Sequence, residues 1–186
     1  MRKIISAAAI AVAGFTLAGC GSDPAPANGT KAAAGGAEIG AAGTACPMPV
    51  SFRPAEKWQP KAVSPPERMS GAELLCEIDA KPAGGIGFVR VLRATGVTDP
   101  MAALKSFTSV GKYADFAYKD VKAGSIAAKE VTYNSVASEE KLPQVALAVP
   151  VGADTVLVTT SGLDAELFKD NLAAYELAKS TLHPTT

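Results

Sequence analysis

Hydrophobic and polar positions along this chain change rhythm several times, and each rhythm predicts an element. Val50-Ser51-Phe52-Arg53 alternates at period two and reads as a first strand. Pro54, Pro60, Pro65 and Pro66 then predict a loop around Trp58, because proline lacks the N–H that a strand ladder requires. Glu73 to Asp79 and Ile86 to Ala94 read as two further strands, joined by turn signals in Lys81-Pro82-Ala83-Gly84-Gly85. A helix is expected next: Asp99 suits its N-cap, Pro100 its first position, and Met101, Leu104 and Phe107 return to one face. Phe116 to Val121, Ile126 to Ala137, Gln144 to Val149 and Asp154 to Thr160 read as strands with connections short enough to make them antiparallel. Val145, Leu147 and Val149 recur at period two, which predicts a sheet with one buried face and one wet face. Asp164 to Leu182 predicts a long helix whose stripe of Phe168, Leu172, Tyr175 and Leu182 packs on that sheet. The fold class expected is α+β, an antiparallel sheet flanked by helices.

The amino-terminal rhythm is different. Arg2 and Lys3 precede an uncharged apolar run from Ile4 to Phe15, and Leu17-Ala18-Gly19-Cys20 places small residues directly before a cysteine. This is the order of an export signal ending in a lipobox, with residues 1–19 removed and Cys20 acylated. The run falls short of the roughly 20 residues that a membrane span needs. Residues 20–45 follow as the lipidated cysteine and an Ala/Gly/Pro-rich tether, with little to bury and so nothing to offset the entropy of ordering. Residues 46–186 are expected to form one domain of ordinary size.

Composition narrows the function classes. The chain has 18 basic and 18 acidic side chains, and loss of Arg2 and Lys3 with the signal leaves 16 against 18. So even a balance argues against nucleic-acid binding and against a polybasic membrane patch, leaving attachment to the lipid on the extracytoplasmic face of the cell membrane. Once Cys20 is acylated, Cys46 and Cys76 are the remaining cysteines, and in an exported chain they are expected to form a disulfide. A metal site is not expected, since the chain offers one histidine and no CxxC pair.

No catalytic residues are predicted. His183 is the single histidine and falls at the end of the last helix, where it suits a solvated cap better than a general base. Gly84-Gly85-Ile86-Gly87 leads into a strand, so it reads as a turn rather than as a phosphate loop. Glu139-Glu140 falls between two strands and reads as a solvent-facing hairpin tip. Trp58, the single tryptophan, is the candidate anchor for a partner if it is exposed among its prolines. Phe52, Tyr113, Phe116, Tyr118 and Tyr133 are the other large side chains available for a groove, with core packing as their default role.

The element order resembles that of the LpqN/LpqT-type bacterial lipoproteins, which share the fold of the photosystem accessory protein PsbP. The resemblance rests on Phe52-Arg53-Pro54 with Trp58, on Asp99-Pro100 opening the middle helix, on Gly124 to Tyr133 as a turn and long strand, and on the terminal helix after Thr159-Thr160-Ser161-Gly162. It covers residues 48 to 182 and implies a non-enzymatic accessory or binding domain displayed at a membrane. An envelope protein is the expected partner. The alternative is a carrier or receptor for a small apolar ligand or envelope lipid, which requires an enclosed apolar pocket between helix and sheet.

Overall fold

The computed structural model describes residues 33–185; the expected export signal and lipobox with Cys20, and the first part of the expected tether, up to residue 32, lie outside the described residues. The elements follow the order β1 (Val50–Ser51), β2 (Gln59–Met69), β3 (Ala72–Asp79), β4 (Phe88–Ala94), α1 (Pro100–Thr108), β5 (Tyr113–Ala123), β6 (Ile126–Ser135), β7 (Leu142–Val151), β8 (Asp154–Ser161), α2 (Ala165–Thr181) and β9 (His183–Pro184). Strands β2 to β8 form one sheet in the order β2-β3-β4-β8-β7-β6-β5, antiparallel throughout, and β1 pairs with β9. The edges of the large sheet are therefore β2 and β5.

Each helix covers one face. Ala174, Tyr175 and Ala178 of α2 share a core with Val91 of β4, Val145, Leu147 and Val149 of β7, and Val158 of β8. Leu104 and Phe107 of α1 pack on the opposite face with Leu92, Val131, Ala146, Ala148 and Leu157. The wet second face expected for β7 is thus corrected: Ala146 and Ala148 are as buried as Val145 and Leu147. Their small side chains carry little hydropathic signal, yet they are what lets α1 approach the strand closely. In β3 the two cores are served in turn, since Leu74 faces α1 and Cys76 faces α2. A register shift lies between them, with Leu74 opposite Leu92 but Cys76 opposite Val91.

Both helices begin as their caps dictate. The Asp99 carboxylate accepts from the Met101 N–H at 2.9 Å, with Pro100 following, and the Asp164 carboxylate accepts from the Leu167 N–H at 2.8 Å.

Two further expectations are corrected. The proline-rich loop is mostly strand β2, which pairs with β3 from Gln59 opposite Asp79 to Met69 opposite Ala72. It runs along a sheet edge, where a missing N–H can face solvent, and the register slips between Ala62 and Glu67, around Pro65 and Pro66. The tether is also shorter than composition implies, because residues from Ala33 onward lie on the domain. Ile39 is 4% exposed within the α2-side core, and its N–H and C=O pair with Phe52 at 3.0 and 3.1 Å. Backbone pairing and one isoleucine outweigh the glycine-rich composition. One of those glycines is required: Gly40 has φ of 112°, and a Cβ there would lie 2.0 Å from the Val50 carbonyl oxygen. The expected disulfide joins Cys46 to Cys76, pinning this leading segment to β3.

Candidate functional site

Trp58 is not freely exposed among its prolines. It is half-buried, packs against the α2-side core, and lines a shallow depression with Phe52, Pro54, Ala55, Ile78, Val89, Ala174 and Ala178. The depression measures about 170 Å³ including the solvent at its mouth, and has no room for a water molecule inside it. Trp58 therefore closes the end of the core next to β2, while Lys57 and Gln59 on either side of it are exposed.

The exposed aromatic surface lies at the other edge of the sheet. On β5, Phe116 is 42% and Tyr118 37% exposed. Their rings stack at 6.2 Å between centroids, and Phe116 also stacks on Tyr133 at 5.9 Å. Tyr133 meets Tyr113 edge-on at 4.9 Å, so the series runs from the surface into the α1-side core. Burial first, and the neighbouring Tyr113, push the Tyr133 hydroxyl well above the usual phenol range. Gly111 admits the Tyr113 ring, since a Cβ there would sit 2.2 Å from it. Val110, at 66% exposure, precedes the strand.

The strand is held in a defined pose. Asp115 adopts φ of 58° where the β5–β6 register shifts between Ala114 and Ala117. Its carboxylate accepts from Lys141 at 2.8 Å and Asn134 at 3.0 Å, and these hydrogen bonds hold its pKa below the ordinary value. This bulge brings Phe116 and Tyr118 to the α1 side of the sheet, while Lys119 points to the other side and pairs with Glu130 at 2.6 Å.

Glu130 is the centre of a polar cluster that sequence reading missed. It is 1% exposed and accepts from the Tyr175 hydroxyl and the Lys179 ammonium, both at 2.8 Å. Burial by itself would raise its pKa; Lys119, Lys179 and the Tyr175 hydroxyl outweigh that and hold it below the ordinary carboxylate value. Lys179, whose charge burial disfavours, is nonetheless shifted up by Glu130 and Glu176. The cluster braces α2 against β6 and β5, with each of its three donors engaged. A sequence signal did exist, in a lone carboxylate at Glu130 next to Val131 within a strand, with Tyr175 and Lys179 one helical turn apart.

The other sequence candidates stand apart from both surfaces. His183 is exposed beyond α2, with its Nε2 3.4 Å from the Glu38 carboxylate. Glu139 and Glu140 are exposed in the β6–β7 connection, and Gly84 to Gly87 form a turn before β4. Among the described residues no group of three or more His, Cys, Asp or Glu side chains is placed to hold a metal ion.

A seven-stranded antiparallel sheet with one helix on each face defines an α+β domain of the PsbP-like type. Two solved structures share it: the cyanobacterial PsbP protein CyanoP of Synechocystis sp. PCC 6803, at 9% identity and TM-score 0.50, covering 73% of this chain and 86% of that one; and LpqN of Mycobacterium tuberculosis, a protein involved in cell envelope biogenesis, at 12% identity and TM-score 0.52, covering 74% and 83%. The chain belongs to a lipoprotein family, described as "Uncharacterised lipoprotein", whose model matches residues 19–182. That match begins at the residue before Cys20. No curated protein sequence matches the chain.

Proposed function

We propose that this protein is a lipid-anchored module of the cell envelope, attached through Cys20 on the extracytoplasmic face, which binds an envelope protein without catalysing a reaction. Membership of a lipoprotein family supports the anchor, and the fold shared with LpqN supports an envelope role. The observation that carries the binding role is the Phe116–Tyr118 stack, an exposed aromatic pair on an edge strand whose pose the Asp115 bulge and the Lys119–Glu130 pair fix. Rigid aromatic area of this kind gives contact surface at low entropic cost. The carrier alternative needs a ligand cavity of about 300–1,000 Å³, whereas the Trp58 depression measures about 170 Å³ with its open mouth included.

The test is cross-linking in intact cells, comparing the wild-type chain with the double variant Phe116→Ala/Tyr118→Ala and with Cys20→Ala. One envelope protein should be captured by the wild type and lost in the double variant while the variant stays membrane-bound and folded. Equal capture by the wild type and the double variant overturns the assignment of this surface. A co-purifying lipid lost on closing the Trp58 depression favours the carrier.

A further inference from the structure

We propose that the turn leading into β2, with Trp58 between Lys57 and Lys61, rests on the phospholipid headgroups of the anchoring membrane; this builds on the lipid anchor of the proposed function. The point at which the chain enters the domain supports this. The Ala34 carbonyl accepts from the Glu56 N–H at 2.7 Å and Gly35 bridges to Ala55, so the leading segment runs antiparallel to residues 52–56 and meets the domain beside Lys57 and Trp58. Twelve residues, 21 to 32, separate Cys20 from Ala33. Even fully extended, that connection spans no more than about 45 Å. A domain of this size is about 40 Å across. The side nearest the entry point is thus the side the anchor holds towards the bilayer.

Its chemistry suits that position, with a local group of three cations that is smaller than the polybasic patch the overall charge balance argues against. Arg53, Lys57 and Lys61 are exposed, with Glu56 the single acid between residues 53 and 61. Arg53 donates to the Gly35 and Gly36 carbonyls, neutral acceptors, and among the described residues it forms no salt bridge. A half-buried indole flanked by lysines is the residue pattern of the membrane interface, where the ring sits among headgroups and ammonium groups meet lipid phosphates. The edge is also unsuited to pairing with a protein strand, since β2 carries Pro60, Pro65 and Pro66. The β5 edge lies six strand spacings away, about 29 Å. An orientation with β2 down therefore leaves Phe116 and Tyr118 facing the envelope space.

Trp58 is the single tryptophan and reports on itself. The lipidated full-length protein is reconstituted into phosphatidylcholine/phosphatidylglycerol vesicles, and tryptophan emission is quenched with a lipid carrying a nitroxide on its headgroup. Strong quenching and reduced access to acrylamide are expected, with severalfold less lipid quenching in Lys57→Glu/Lys61→Glu at unchanged flotation and unchanged circular dichroism. Flotation of the wild type without lipid quenching of Trp58 overturns this orientation and leaves the anchor standing. Failure of the lipidated protein to float overturns both.

Discussion

Glu130→Gln should destabilise the domain strongly although it changes one atom. Glu130 is 1% exposed and receives three donors, from Lys119, Lys179 and Tyr175. Removing its charge leaves Lys179, at 13% exposure, with Glu176 alone. Removing one partner of a buried ion pair costs about 3–5 kcal/mol. The lower end applies here, about 3 kcal/mol, because Glu176 still pairs with Lys179 and Lys119 is 57% exposed and free to rehydrate. For a domain of about 150 residues that corresponds to a fall in Tm of about 6–12 °C. The pH dependence provides a second check. A carboxyl whose folded pKa lies below its unfolded value stabilises fully above the unfolded pKa and ceases to do so as pH falls through the folded one. The gap between wild type and Glu130→Gln, measured by urea unfolding, should therefore be constant near neutrality and narrow on acidification below the ordinary carboxylate range. A gap under about 0.5 kcal/mol at neutral pH, the scatter typical of surface substitutions, refutes the reading of this cluster as the brace between α2 and the β5–β6 hairpin.

Further predictions test the corrected boundaries of the domain. Ile39→Ala should cost about 2–4 kcal/mol in urea unfolding, and a chain beginning at Cys46 should be less stable than one beginning at Ala33; equal stabilities would return residues 33–45 to the tether. Replacing both Cys46 and Cys76 by Ala should lower stability by about 3–4 kcal/mol for a closed loop of this length, read as a shift in the denaturation midpoint. Asn171→Ala should cost about 2–3 kcal/mol, because the buried amide donates to both the Ile86 and Ser161 carbonyls and so joins the approach to β4 with the end of β8. Phe116→Ala/Tyr118→Ala should change stability less than any of these, by about 1 kcal/mol, since both residues are already more than a third exposed.

Much of the architecture was legible because its signals are local. Asp99-Pro100 and Asp164 mark helix starts through caps that act within three residues, β3 shows its apolar alternation directly, and β7 and β8 show as short apolar runs. What escaped depended on distant partners. Pro60, Pro65 and Pro66 argue against a central strand, and only the position of β2 at the sheet edge makes them compatible with pairing. Gly35, Gly36 and Gly40 suggest a tether until Arg53, Pro54 and Phe52 supply the groups that bond this segment. The burial of Ala146 and Ala148 is set by α1, an element far from them in the chain. At the site, the aromatic residues are visible in the sequence as a set, with Trp58 set apart only as the single tryptophan. The informative pattern was Phe116 and Tyr118 two residues apart among Asp115, Lys119 and Asp120, which places two rings on one face of a strand with charged neighbours. Their exposure follows from β5 lying at the edge and from the short reach of α1, neither of which is local.

The proposed envelope partner would meet the anchored domain at the β5 aromatic face. The most direct measurement is photo-cross-linking in living cells from a reactive residue placed at position 118, compared with the same residue at position 163, since Leu163 is exposed at 69% in the connection between β8 and α2. One discrete protein adduct is expected from position 118, disappearing in Cys20→Ala and without a counterpart from position 163. The same adducts from both positions, or none from position 118 while the protein remains on the membrane, would contradict this placement of the partner.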